Sequence, residues 1–290
     1  HACLCSIVGP SGPNPLGRCA SIIAGRGATR IHTFHGHLLH GYFAGWKTKL
    51  VILIEKFLAK RTHYLVAIGN VVKKDLLAAG IGNDDQYSVF FPGLPQPPAF
   101  DKAALRRELE LDASGIYCTF VGRLTQIKRP DRLLDIAAAM VNRDISIQFL
   151  VAGEGELFES SKAQALAENL PVTFLGWRKD IDQLFAASDI AILTSDNEGI
   201  PLTLIQAAQA GLPIIAPNVG SISDIVESDT TGFLTAPQPG AMASALSALA
   251  TDSELRIRLG SAGKDRAEEF FSLERMLRDH TEIYKRSHSN

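Results

Sequence analysis

The chain has 290 residues, 46% of them apolar, and a mean hydropathy of +0.08, which is material for about two domains of roughly 100–200 residues with packed cores and excludes disorder for its bulk. Its 29 basic and 31 acidic residues leave a formal charge of −2, too weak a field to make nucleic acid the main partner. The balance is uneven: residues 1–98 hold 10 Lys and Arg against 4 Asp and Glu, the rest 19 against 27, and six of the eight histidines fall in the first 63 residues.

In chain order, residues 1–9 lack an initiator Met, a basic n-region and an apolar run long enough for a signal peptide, so the chain reads as cut rather than processed. Cys3 and Cys5 are too close for an easy staple, and Cys19 and Cys118 have no metal-type spacing, which points to reduced thiols in a cytoplasmic protein. Short β-branched runs then alternate with amphipathic stretches, the pattern of parallel strands joined by crossover helices. The first block predicts a helix near Leu16 to Ala24, a strand Ile31 to Phe34, a helix Trp46 to Arg61, a strand Tyr64 to Ile68, a helix Val71 to Ala79 and a strand Tyr87 to Phe91.

Pro92, Gly93, Pro95, Pro97 and Pro98 form the expected linker, since proline lacks a donor and fixes φ. Six further strands follow, near Ile116 to Val121, Ser146 to Val151, Val172 to Leu175, Ile190 to Leu193, Pro213 to Ala216 and Gly232 to Leu234. They make a Rossmann-like domain, closed by an amphipathic helix from a Ser272 N-cap to Arg286. The fold class is therefore α/β with two Rossmann-like domains, over 1–95 and 96–271, and a carboxy-terminal helix 272–290 crossing back to the first. No apolar run nears the ~20 residues needed to cross a bilayer.

Three places carry chemistry. Strand Ile116 to Val121 ends in Gly122-Arg123, with Lys128 before the next helix. In open α/β sheets ligands sit beyond the carboxyl ends of strands, so these residues suit a phosphate or diphosphate; a solvated basic turn is the plainer reading. After Ile190 to Leu193 comes Glu198-Gly199-Ile200-Pro201-Leu202, entering a helix whose first turn holds Pro201. A carboxylate at that anion-favouring mouth suits a polyhydroxylated ligand, unless Glu198 is only a first-turn acid. His32, His35, His37 and His40 fall within nine residues; no Cys or acid completes a tetrahedral zinc set, so no metal is expected, and His35 is the one placed to meet a sugar or a proton. Asp180 and Asp182 mimic a metal-binding D-x-D, which an N-cap and a first-turn acid on the helix Ile181 to Ala187 explain.

Together Phe-Val-Gly122-Arg123-Leu-x-x-x-Lys128, Val-Ala-Gly153-x-Gly155, Leu-Gly176-Trp and Ser-x-x-Glu198-Gly-x-Pro-x-x-x-x-Gln206-Ala-x-x-x-Gly211-x-Pro213 resemble the family 4 glycosyltransferases, retaining enzymes of GT-B fold. His-Thr-Phe-His35-Gly-His, Gly41-Tyr-Phe and the helix to Arg61 resemble that family's acceptor-side domain. The resemblance implies that Arg123 and Lys128 hold the donor diphosphate, that Glu198 meets the transferred sugar with the backbone of 199–202 beside it, and that His35 lies near that sugar. It implies that the base lies at Trp177-Arg178 and the ribose at Gln206, where the family has a second glutamate. Glutamine keeps an acceptor there but loses the charge.

The implied reaction moves a sugar from a nucleotide-diphosphate sugar, expected to be UDP-linked, to a hydroxyl of a glycan or lipid-linked acceptor with retention, in polysaccharide biosynthesis, with no cofactor. Arg123 and Lys128 stabilise the departing diphosphate without a metal. The family pattern also has a Gly-rich first turn that is expected to precede residue 1, which predicts an amino-terminally truncated first domain and weakened transfer. Two alternatives stand beside this reading: a non-catalytic nucleotide-sugar binding fragment, and a nucleotide-sugar epimerase of the same fold. The helix Trp46 to Arg61, with Lys47, Lys49, Lys56, Lys60 and Arg61 beside Leu50, Leu53, Ile54 and Phe57, either packs its apolar stripe inward or meets the inner face of a membrane.

Overall fold

The computed structural model describes residue 18, residues 29–35 and residues 45–289. The helix expected over 16–24, apart from Arg18, and the residues His37, His40, Cys3, Cys5, Cys19, Gly41, Tyr42 and Phe43 lie outside the described residues, as does the side chain of Trp46. The chain divides into two compact units, one of residues 1–93 with 273–290 and one of residues 94–272.

In the first unit, β1 (Ile31–Phe34), β2 (Tyr64–Ala67) and β3 (Tyr87–Val89) form a parallel sheet in the order β1-β2-β3. Both faces of this sheet are covered. On one side Phe34, Leu65, Ala67 and Tyr87 pack with Val72 and Leu76 of α2 (Asn70–Ala78). On the other, Ile31 and Val66 meet Ile283 from the last helix, Leu273–Ser289. The helix α1 (Gly45–Ala59) buries Leu58, Ala59 and Glu55. Glu55 is tolerated there because the buried Arg18 guanidinium binds its carboxylate at 2.6 and 2.5 Å.

Of the two readings of the α1 stripe, inward packing does not hold for most of it. Leu50, Leu53, Ile54 and Phe57, spaced as one helical face, are 50%, 64%, 37% and 52% exposed, while Leu58 and Ala59 on the same helix are fully buried. The side toward the sheet is supplied by Ala59, which packs with Phe34, Leu65 and Ala67.

The second unit holds a six-stranded parallel sheet in the order β6-β5-β4-β7-β8-β9, built from β4 (Tyr117–Val121), β5 (Gln148–Ala152), β6 (Val172–Gly176), β7 (Ile190–Ile192), β8 (Ile214–Pro217) and β9 (Gly232–Thr235). The chain winds outward from β4 in one direction and from β7 in the other, so these paired central strands mark the topological switch point of a doubly wound sheet. At the opposite, amino-terminal end of these strands, Asp189 ties α3 (Lys102–Glu108) to the sheet: its carboxylate accepts from Lys102, Arg106 and the Tyr117 amide at 2.7, 2.7 and 2.8 Å.

The expected linker is not free along its length. Gly93 closes the first unit, whereas Leu94 donates its N–H to the Phe271 carbonyl at 2.9 Å and pairs with Ser272 in a parallel bridge. Gln96 then reaches Glu268 at 2.7 Å. Proline excludes this segment from a regular strand, but not from packing against the unit it enters.

Candidate active site at the switch point

The two central strands end side by side, and the loops that follow them are fastened together. Thr194 Oγ1 donates to the Lys128 carbonyl at 2.8 Å, and the Asp196 N–H donates to the Ile127 carbonyl at 2.9 Å. Arg132, on α4 (Pro130–Val141), is 5% exposed in its side chain; it donates to the Thr194 carbonyl and binds Asp196 at 2.6 Å. Arg129 holds a left-handed conformation, with φ 53° and ψ 57°, and its guanidinium spans Asp131 and Asp196. That pairing keeps the Asp131 carboxyl below its ordinary range. The sequence reading missed Arg129 and Arg132; only the density of charge in 128–132 signals them.

This scaffold brings Lys128 and Glu198 into direct contact. The Lys128 ammonium forms an ion pair with Glu198 Oε1, which also accepts from Ser195 Oγ at 2.6 Å. Their side chains are 24% and 10% exposed. Oε2 of Glu198 has no side-chain partner among the described residues. Arg123, just beyond β4, is exposed, and no side chain among the described residues bonds its guanidinium. An exposed arginine with no side-chain partner among the described residues, a lysine held by a carboxylate and an open carboxylate oxygen thus follow the carboxyl ends of two neighbouring central strands, where an anion bearing hydroxyl groups finds complementary partners.

Two close backbone approaches shape the edge. At Gly153 φ is +135° and an added Cβ would lie 2.0 Å from the Gly122 carbonyl oxygen, so the turns after β4 and β5 touch backbone to backbone. At Gly220 φ is +53° and a Cβ would lie 1.9 Å from the Glu198 carbonyl oxygen. The carbonyl of Glu198 also accepts from the Ser221 N–H at 3.2 Å.

The helix entered after Glu198, α7, spans Leu202–Gln209, so Pro201 is its N-cap residue and not part of its first turn. Pro201 has φ −72° and ψ 108°, the extended cap geometry that precedes a helix. The first N–H groups of α7 still lack partners within the helix, as at any helix start. The D-x-D explanation also changes in part. Asp180 does precede α6 (Ile181–Ala187), but it makes no side-chain cap; Arg178 takes its carboxylate at 3.0 Å and lowers its pKa. Asp182 instead accepts from Gln206 at 2.9 Å. Trp177 is 64% exposed, with the Lys179 ammonium 5.7 Å from its ring centre.

His35 belongs to the first unit, where it is exposed at the end of β1. Desolvation, with His280 nearby, holds its imidazole below the ordinary range. Its neighbour His32 is 2% exposed and packs edge-on against Phe34 at 4.5 Å. Among the described residues no three His, Cys, Asp or Glu side chains are grouped to hold a metal, and no helix is long and apolar enough to cross a membrane.

Comparison with known proteins matches residues 101–266 to the family Glycosyl transferases group 1. The chain is 32% identical over 232 residues to UDP-Gal:alpha-D-GlcNAc-diphosphoundecaprenol alpha-1,3-galactosyltransferase of Escherichia coli, covering 76% of this chain and 59% of that protein. It is 32% identical over 213 residues to D-inositol 3-phosphate glycosyltransferase of Corynebacterium glutamicum (strain R), covering 68% and 51%. The chain thus spans less than two thirds of the length of these relatives. In fold it is similar to Anabaena Alr3699/HepE, crystallised in complex with UDP, at a TM-score of 0.83 and 23% identity over 93% of this chain and 75% of that one. With more than half of its residues matched by that family's pattern, the chain belongs to the family Glycosyl transferases group 1.

Proposed function

We propose that the chain transfers a sugar from a UDP-sugar to a hydroxyl of a glycan or lipid-linked acceptor, with retention at the anomeric carbon. The observation that carries this is the unpaired Arg123 beside the Lys128–Glu198 pair at the switch point. The donor diphosphate takes Arg123 and competes with Glu198 for Lys128, which frees Glu198 to accept from sugar hydroxyls. The bond from the anomeric carbon to the β-phosphate oxygen then breaks, its electron pair leaving with the diphosphate. The acceptor oxygen bonds the anomeric carbon on the face that the phosphate leaves, and the acceptor's proton passes to a phosphate oxygen. Both cations stabilise the charge that grows on the leaving group. No protein nucleophile is assigned, and the site as described calls for no metal.

One relative is named for a UDP-sugar donor and one protein of similar fold was crystallised with UDP, which supports the choice of base. Calorimetric titration with UDP tests the reading: the 290-residue chain binds it, and Arg123→Ala weakens binding about 10- to 100-fold, the worth of a lost charge-assisted contact. Equal affinity in the two proteins removes Arg123 from the diphosphate site.

The acceptor side of the proposal includes a membrane. The exposed face Leu50, Leu53, Ile54 and Phe57 is flanked by exposed Lys47, Lys49, Lys60 and Arg61, an arrangement that suits the surface of an anionic bilayer. Lys47→Glu with Lys49→Glu is expected to lower co-sedimentation with anionic vesicles about tenfold or more, since each basic residue near such a surface is worth about 1 kcal/mol. Unchanged co-sedimentation rules this helix out as the contact.

A further inference from the structure

The two halves of the Lys128–Glu198 pair stand on different loops. Lys128 ends the short helical turn Gln126–Lys128 that follows β4, and Glu198 lies in the loop that follows β7. Arg132, in the first turn of α4, joins the two. Its guanidinium donates to the Thr194 carbonyl and to Asp196 Oδ1, the latter at 2.6 Å. One planar fork thus grips both the backbone and a side chain of the loop that leads to Glu198. Arg129 takes the same carboxylate, with Nη1 at 3.2 Å from each oxygen, so Asp196 is engaged from the start of α4 while Lys128 pairs with Glu198. As a source of stability the Arg132 arrangement is poor. Its side chain is 5% exposed and that of Asp196 is 46% exposed, so the cation gives up its water for a carboxylate that keeps much of its own. Its Nε is buried without a hydrogen-bond partner among the described residues, a further cost. An apolar side chain of similar volume would fill the space with neither penalty. What the guanidinium alone supplies is a fixed geometry between the two loops.

We propose that Arg132 is a positioning residue for the transfer: it holds the loop after β7 against the turn after β4 and so sets the Lys128–Glu198 contact that the donor diphosphate must open. The inference rests on the donor reading above. It makes one quantity depend on another at a distance. A diphosphate gains affinity when Glu198 loses the charge that competes for Lys128, and that gain exists only while Arg132 keeps the two side chains together.

The test is a double-mutant cycle, read by calorimetric titration of UDP into the wild-type 290-residue chain, E198Q, R132M and the double variant, with melting recorded for each. E198Q removes the competing charge but keeps an oxygen for Ser195 to bond, and it is expected to tighten UDP binding about tenfold while Arg132 is present. In the R132M background the same change is expected to alter affinity by no more than about twofold. An Arg132 that only stabilises the fold would shift melting and leave the response to E198Q intact, and that result overturns the proposal. A wild type that binds UDP with an affinity E198Q leaves unchanged also overturns it, while sparing the donor reading. Should R132M fail to fold, R132K takes its place, since one ammonium replaces the fork while the charge stays: a response to E198Q as large as that of the wild type overturns the proposal, and a smaller one supports it. A wild-type chain that binds no UDP overturns the donor reading, and this inference falls with it.

Discussion

Gly220→Ala is expected to destabilise the second unit by about 3 kcal/mol and to cost transfer at least about 100-fold. The new methyl carbon would sit 1.9 Å from the Glu198 carbonyl oxygen and 2.9 Å from its carbon, contacts that only backbone movement relieves. The φ of +53° adds the left-handed penalty of an L-residue. Movement there displaces the residue whose carboxylate is shared between Lys128 and Ser195. Gly240→Ala is the control: it lies in the helix Pro239–Thr251, and a Cβ there meets nothing within 4 Å. That variant is expected to match the wild type or to gain about 0.5–1 kcal/mol from helix propensity. Melting temperatures and product formation for the pair decide the matter, and a Gly220→Ala protein indistinguishable from wild type refutes the steric account.

Acid is expected to unfold the first unit through His32. Burial, followed by the charges of Arg18 and His35, pushes its pKa from 6.5 down to about 3, and its Nδ1 meets no hydrogen-bond partner among the described residues. The folded unit therefore keeps this imidazole neutral while the unfolded chain protonates it. Above pH 6.5 neither state binds the proton and stability does not depend on it. As pH falls below that value the unfolded state binds more protons, and each unit down toward the folded pKa removes about 1.4 kcal/mol. The loss reaches about 3 kcal/mol near pH 4. His35 works in the same direction, since its pKa is lowered as well. Urea denaturation followed by circular dichroism across this window, in wild type and His32→Phe, measures the effect. The phenylalanine variant, which keeps the edge contact with Phe34 but cannot titrate, is expected to show the shallower slope. Equal slopes would assign the acid sensitivity to other groups.

The strands were readable because they are buried on both faces, and continuous apolar runs such as Tyr117–Val121 and Gln148–Ala152 leave no competing period. Their ends moved by a residue or two, as backbone hydrogen bonding rather than composition sets them. The positions of Arg123, Lys128 and Glu198 were readable because each follows a strand whose carboxyl end must face the ligand edge. Pairing was not. Nothing in the spacing of Lys128 and Glu198 says that they neutralise one another, because that depends on β4 and β7 being sheet neighbours. The same holds for Gln206 and Asp182, which lie on successive helices over one side of that sheet. The stripe on α1 stood between two readings for another reason: an amphipathic helix announces that it has an apolar face, not whether protein covers it.

The pairing of Leu94 with Phe271 and Ser272 puts both ends of the second unit side by side. Residues 94–272 are thus topologically an insertion: one uninterrupted stretch of coding sequence, with termini close enough to be joined by a short peptide or reopened elsewhere as a circular permutant. The first unit has no such stretch. Its core contains Ile283 packed on Ile31 and Val66, residues that lie on either side of the insertion in the sequence. Truncation just after residue 272 would therefore leave the insertion whole and strip a wall from the first unit.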